Sequence, residues 1–348
     1  MAVSLEDKTA SPAAEETRQR VGPLVVIPGL LRELGADPVE VLAGLGLDAT
    51  VLDDQESRIP YVALGRLLQE CALGTGCPHF GLLAGQRMSI SHTGLPGELM
   101  LHSSTLRAAW QIFVVYHHLN SEGMVTFLRE EEGLAAVGSA IYEKGAEFVD
   151  QIYDGVIAMA CHVMREICGS RWAPERVLFS RRRPTDAGPY RRFFQAPCRF
   201  DSEQTAMFFP ASVLSRAMPQ ADPKRLRQLE ERAQAIGIEF VHQLRRALRT
   251  LLLSGQQSGS DVAQMLSMHH RTLNRRLKAA GTTFQKVLDE VRFEAACQLL
   301  ETTSIPLTEI AVSLGYAESS AFSRAFRRWS GQAPSRRRLA DQRYQADP

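Results

Sequence analysis

One pattern occurs twice in the last hundred residues. Asp261-Val262-Ala263 and Leu266 precede Leu273-Asn274-Arg275-Arg276-Leu277, and Glu309-Ile310-Ala311 and Leu314 precede Phe322-Ser323-Arg324-Ala325-Phe326. In each copy the spacing predicts a short helix with one apolar face, a turn, and a second helix. The second helix buries residues four apart and turns a polar, Arg-bearing face outward. That is a helix-turn-helix, repeated. Two such units in tandem place helices in two neighbouring stretches of DNA major groove.

The net charge of +1 hides an uneven distribution. Residues 238–340 hold 15 Lys/Arg against 8 Asp/Glu, while the rest of the chain holds 25 against 31. A basic block on an acidic body is the electrostatic footprint of a nucleic-acid-binding module joined to something else. The six cysteines, at 71, 77, 161, 168, 198 and 297, form no C-x-x-C pair and no Cys/His metal spacing, so neither zinc nor a disulfide framework is expected. They read as reduced, mostly buried thiols, and no cofactor is implied. Residues 1–20 lack the apolar core of a signal peptide. No apolar run approaches the ~18 residues of a membrane span, so a soluble cytoplasmic protein without membrane contact is expected.

At 348 residues the chain suits two or three domains. Residues 1–22 are poor in large apolar side chains and read as a disordered arm. Residues 23–218 read as an α+β domain. Helical periodicity runs over Val25–Leu34, Val39–Leu45, Tyr61–Leu73, Phe80–Arg87 and Thr105–Leu119, and a hairpin of Met124–Arg129 and Leu134–Tyr142 turns at Glu130–Gly133. Asp150–Cys168 returns to helix. Arg176–Ser180 and Ala206–Phe209 are shorter strand candidates around a helical turn at Tyr190–Phe194. A charged helix from Pro223 to about Ile236 makes 219–237 a linker to the basic region 238–340, which opens with the helix Phe240–Leu253 and leaves a tail at 341–348. The expected fold is therefore mainly α: an α+β front domain, then an all-α domain with two helix-turn-helix units joined by a long helix.

In the first unit Ser260 is the expected cap, and a helix from about His269 to Ala280 buries Leu273 and Leu277. Arg271, Asn274 and Arg275 then share the opposite face. Arginine holds guanine O6 and N7 through two hydrogen bonds, and asparagine pairs likewise with adenine N6 and N7. Gly281 stops that helix, Thr282 and Gln285 suit a capping box, and Thr283–Thr302 reads as one helix of ~30 Å. Phe284, Val287, Leu288, Val291, Ala295 and Leu299 suggest one continuous apolar stripe along it. Such a rod separates the units by nearly one duplex turn, ~34 Å. In the second unit Pro306 falls in the first helical turn, and the last helix buries Phe322, Phe326 and Trp329 while Ser319, Ser320, Ser323 and Arg324 face outward. Three serines and one arginine read fewer bases and suit phosphate contacts that fix register.

Ile310-Ala311, Gly315-Tyr316, Phe322-Ser323-Arg324, Phe326-Arg327, Gly331 and Pro334 stand at spacings that resemble the AraC/XylS family of bacterial transcription regulators, over residues 240–340. The resemblance implies base-facing positions at Arg271, Asn274, Arg275, Ser319, Ser320, Ser323 and Arg324. Arg337 departs from it, since an aromatic residue usually stands three after the proline. Residues 24–215 resemble the arabinose-binding-type sensor domain of part of that family, distinct from the cupin barrel of its namesake, through His79-Phe80-Gly81, Gly85-Gln86, Ser103-Ser104-Thr105-Leu106, Tyr190-Arg191-Arg192-Phe193-Phe194 and Cys198-Arg199-Phe200. That implies a small-molecule effector, an RNA polymerase partner, homodimerisation and activation of an adjacent pathway.

Two other classes compete with this reading. A DNA-repair or modification enzyme fused to the same module needs a reactive cysteine or a metal cluster. Cys161 and Cys168 share one helical face, but Met159, Val163 and Ile167 around them favour core packing. A haem or metal sensor would draw on His92, His102, His117 or His118, none with a Cys or carboxylate at ligand spacing. The run Arg181-Arg182-Arg183 suits an acid clamp or, more simply, a solvated edge.

Overall fold

A computed structural model describes residues 17–338 apart from 47, 144, 203, 237–239, 254–257, 266–269 and 303–304. Within them the chain opens as β1 (Arg18–Arg20), with α1 (Ile27–Glu33) and α2 (Pro38–Ala43) next and β2 (Arg58–Pro60) pairing back antiparallel on β1. Residues 17–22, expected within the arm over 1–22, are thus part of the fold. Arg20 donates to both Glu56 carboxylate oxygens and to the His92 carbonyl, and Val21 is fully buried; residues 1–16 lie outside the described residues.

Four helices follow: α3 (Tyr61–Gly74), α4 (Phe80–Arg87), α5 (Leu95–Leu101) and α6 (Leu106–Tyr116). Thr105 caps α6 by accepting the Ala108 N–H at 3.2 Å. Sequence reading omits α5, whose seven residues are too few to show a period of 3.6.

The hairpin forms as β3 (Met124–Glu131), two residues longer than periodicity suggests, and β4 (Leu134–Ile141), one shorter. Only Glu132 and Gly133 lie between them, both at positive φ, as a two-residue turn matched to strand twist requires. After α7 (Val149–Cys168) come β5 (Arg176–Leu178), α8 (Gly188–Phe194), β6 (Cys198–Arg199) and β7 (Thr205–Pro210). The sheet order is β3-β4-β7-β5-β6, antiparallel except for β5 with β6. Two-residue β6 carries no readable alternation.

Along β7, Met207 and Phe209 join a core with Val137 and with Ile157, Cys161 and Met164 of α7, whereas Ala206 and Phe208 face the other side with Phe127. The glycines of α4 explain how α7 sits. A Cβ on Gly81 would stand 2.1 Å from the Gln151 carbonyl oxygen and one on Gly85 2.2 Å from that of Gly155, so the two helices cross backbone to backbone. The motif residues Gly81 and Gly85 are thus packing residues. Arg181 is also redefined: it turns inward to pair with buried Asp154, which Tyr190 also bonds at 2.6 Å, while Arg182 and Arg183 stay exposed. It is neither a solvated edge nor a free clamp.

All described elements after β7 are helical, as expected. First comes α9 (Pro223–Ala235), capped by Asp222, which accepts the Lys224 and Arg225 N–H groups at 2.9 and 3.0 Å. Rather than standing free as a linker, α9 buries Leu229 and Ala233 against Leu99 of α5 and Leu119. Then follow α10 (Phe240–Leu253), α11 (Gly259–Met265), α12 (His270–Ala279), α13 (Phe284–Thr302), α14 (Leu307–Ser313) and α15 (Ser319–Ser330). They form two small cores, one around Leu244, Leu248, Leu273 and Leu277, the other around Ile310, Phe322 and Phe326.

Candidate nucleic-acid interface

The first unit begins with a reciprocal cap. Ser258 Oγ accepts the Asp261 N–H at 3.1 Å, and the Asp261 carboxylate accepts the Ser258 N–H at 2.9 Å. Ser260, the expected cap, lies instead in the first turn of α11. Val262 and Ala263 are buried as expected, while Leu266 and His269 lie outside the described residues. On α12, Leu273 and Leu277 are 0% and 1% exposed, which fixes the opposite face: Arg271, Asn274 and Arg275 all stand in solvent. Among the described residues neither Arg271 nor Arg275 has a carboxylate partner, so both guanidinium groups keep their donors for a ligand. Asn274 Nδ2 sits 3.3 Å from His270 Nδ1 one turn earlier, a contact that orients its amide. Exposed Lys278 adds charge nearby, whereas Arg276 lies over the Phe240 ring at 5.4 Å.

Gly281, at φ 68°, ends the unit in the left-handed region. The cap of α13 is Thr283, whose hydroxyl accepts the Lys286 N–H at 3.2 Å; Gln285, the expected partner of Thr282, bonds Asp289 instead. The expected single stripe on α13 is also corrected. Val287, Leu288 and Val291 are buried in the first core, but Ala296, Cys297 and Leu300 are buried in the second, while Ala295 and Leu299 are only half-buried. At 3.6 residues per turn those two sets lie on nearly opposite faces. One helix thus serves as a wall of both units.

In the second unit Pro306 is the residue before α14 rather than within its first turn. Gly315, at φ 77°, makes the turn, with the Tyr316 N–H donating to the Ala311 carbonyl at 2.9 Å. On α15 Phe322 and Phe326 are fully buried, and Trp329 is half-buried, its ring 6.0 Å from that of Phe293. The four expected site residues do not share one exposure. Ser320 and Arg324 are exposed, Ser319 and Ser323 are half-buried, and Ser320 Oγ donates to Glu318 at 3.0 Å. Arg324 and exposed Arg327 have no carboxylate partner among the described residues, whereas Arg328 pairs with Asp289 at 2.9 Å. Arg327 enters the sequence analysis only through the family spacing Phe326-Arg327, and its place three after Arg324 puts it on a neighbouring face. Half-buried Arg337 occupies the place of the usual aromatic residue.

Behind this surface, α10 rests on the front body. Arg246 donates to the Ser121 carbonyl at 2.9 Å, Arg249 lies over the Tyr142 ring at 3.9 Å, and Gln298 of α13 donates to the Ile141 carbonyl. Burial pulls the Arg246 guanidinium below its ordinary pKa.

Two family models match the chain: the arabinose-binding N-terminal domain of AraC transcription regulators over residues 35–218, and a helix-turn-helix domain over residues 262–340. The chain belongs to the AraC family. Among curated relatives it is 30% identical over 314 residues to the ornithine utilization regulator of Pseudomonas aeruginosa, covering 88% of this chain and 92% of that one. It is 28% identical over 313 residues to the regulator VirS of Mycobacterium tuberculosis, with the same coverage. Among solved structures it matches the regulator CdpR of Pseudomonas aeruginosa with 22% identity and a TM-score of 0.42, over 87% of this chain and 96% of that one. This AraC-family protein is a DNA-binding transcription regulator with a ligand-binding front domain. Among its described residues no His/Cys/Asp/Glu group is placed to hold a metal ion, and no helix is long and apolar enough to cross a membrane.

Proposed function

We propose that this AraC-family regulator is a one-component switch acting in the cytoplasm, with no catalytic activity of its own. Residues 23–218 sense an effector and dimerise, 219–237 connect, and 238–340 read a promoter. On binding, the protein engages RNA polymerase and activates an adjacent pathway; the name of the ornithine utilization regulator supports a catabolic one. Arg271, Asn274 and Arg275 read base edges, while Ser319, Ser320, Ser323 and Arg324 fix register, chiefly on phosphates.

The observation that carries this reading is the exposed face of α12, where two arginines without carboxylate partners among the described residues flank an asparagine opposite buried Leu273 and Leu277. The enzyme alternative finds little support in its best candidate nucleophile: burial lifts the Cys161 thiol to about 12, far from the thiolate that chemistry needs. Binding of the full chain to duplexes from its own upstream region, followed between about 50 and 200 mM salt, tests the assignment. Affinity should fall by orders of magnitude as phosphate contacts release counterions. Salt-insensitive binding, or none, would overturn it.

A further inference from the structure

The front body encloses a cavity of ≈ 90 Å³ between α6, α7 and the β3–β4 hairpin. Its wall is largely hydrocarbon, thioether and aromatic, with Met88, Met100, Trp110, Phe113, Met124 and Met159 prominent, and no charged side chain lines it. Most polar groups in that wall are already engaged. Thr93 donates to the Ile90 carbonyl, Gln19 donates to the Arg20 carbonyl, and the Thr126 and Ser139 hydroxyls face each other at 3.4 Å. Among the described residues, two polar atoms of the wall are left over: His117 Nδ1 and Asn120 Oδ1 have no hydrogen-bond partner there, in residues only 6% and 5% exposed.

Asn120 Oδ1 is an acceptor. Burial keeps the His117 imidazole neutral, and in the tautomer that carries its proton on Nε2 the unpaired Nδ1 presents a lone pair. A buried acceptor without a donor is destabilising, and a bound donor would recover that loss.

We propose that this cavity is the effector site, and that it takes a compact, uncharged, mostly hydrocarbon molecule presenting one hydrogen-bond donor, a hydroxyl or N–H, to Asn120 and His117. The assignment rests on the reading of the chain as an effector-responsive regulator. A charged ligand would find no counter-ion in the wall, and each extra hydroxyl of a sugar would be buried without a partner. Methionine side chains adapt their shape, so the cavity widens around a ligand somewhat larger than its resting volume. The site also has an outlet. Asn120 is followed by Ser121, whose carbonyl holds Arg246 of α10, and α10 shares its core with Leu273 and Leu277 of α12. A ligand that draws Asn120 inward therefore shifts the contact on which the first DNA-reading unit rests.

The test uses the full chain and three probes: cyclohexanol, cyclohexanone as the same shape without a donor, and L-arabinose. Cyclohexanol should raise the melting temperature in a saturable way and change affinity for duplex DNA; the other two should do neither. Asn120→Ala should weaken cyclohexanol binding about tenfold or more. Ala160→Leu, which fills the cavity from α7, should abolish it. Arg246→Gln should retain cyclohexanol binding but lose its effect on DNA affinity. If one variant does not fold, the other and the contrast between alcohol and ketone still decide. Equal stabilisation by all three probes, unchanged binding in both cavity variants, or no cyclohexanol binding by a chain that binds DNA would overturn the assignment. Saturable cyclohexanol binding by a chain that binds no duplex would instead support the cavity and overturn the regulator reading.

Discussion

Arg275 and Arg324 each stand two residues after an apolar anchor, Leu273 and Phe322, yet they keep different company. Arg275 shares an exposed face with Arg271 and Asn274, whereas Arg324 neighbours serines of which Ser319 and Ser323 are half-buried. Arg275→Ala should therefore cost about 1 to 3 kcal/mol on the correct site and relax preference at particular base pairs. Arg324→Ala should weaken binding with a smaller change in preference. Selection from a randomised duplex library distinguishes the two, and the reverse outcome would refute this division of labour. Buried histidines set a second expectation at this scale. Burial holds His117 and His118 at about 3 instead of 6.5, so the stability they contribute is present above pH 6.5 and lost as pH falls toward 3, by about 1.4 kcal/mol per pH unit for each. Asp154 opposes them: burial raises its carboxyl from 3.8 to about 6, so its contribution is full below 3.8 and is lost as pH rises through 6. Denaturant melts from pH 7 to 4 should show a loss on acidification that flattens in the His117→Gln, His118→Gln double variant and steepens in Asp154→Asn.

At the scale of elements, α13 governs how the two units stand. Its buried sets, Val287–Val291 and Ala296–Leu300, lie on nearly opposite faces, so each unit is anchored to its own side of one rod. One alanine inserted after Arg292 leaves each set intact but turns the second unit by about 100° and moves it by about 1.5 Å. Helix content should persist while affinity for the full site falls at least tenfold. Footprinting should then show protection of a single half-site; an unshortened footprint would mean that the rod does not set the spacing.

For the whole molecule, charge and packing divide the labour. Positive charge is concentrated in residues 238–340, whose two cores are built from α10 to α15 alone, while the cavity lies entirely before residue 164. A chain lacking residues 1–237 should keep salt-dependent promoter binding and lose any response to inducer. Reporter assays in cells measure both, and a surviving response would place the sensor in the C-terminal segment.

Periodicity was enough to place Tyr61–Gly74, Phe80–Arg87, the hairpin, Phe240–Leu253, His270–Ala279, Phe284–Thr302 and Ser319–Ser330, because amphipathic helices and alternating strands write their buried faces into local spacing, while seven-residue α11 and α14 were legible only through the repeated motif. The exposure of Arg271, Asn274 and Arg275 was legible for the same reason: Leu273 and Leu277 dictate which side faces out. What local spacing does not encode, only the tertiary structure decided. Ser258 and Thr283 took the caps from Ser260 and Thr282 because the geometry of a neighbouring turn chooses between adjacent hydroxyls. Arg181 turned inward because Asp154, distant in sequence, was buried beside it. The apolar stripe on α13 split between opposite faces because two cores compete for one helix. His117 Nδ1 and Asn120 Oδ1 became buried atoms beside a cavity, without partners among the described residues, only when the helices and the sheet closed around them. Surroundings of that kind arise from long-range packing, and they determine whether a polar side chain is solvated, satisfied or waiting for a ligand.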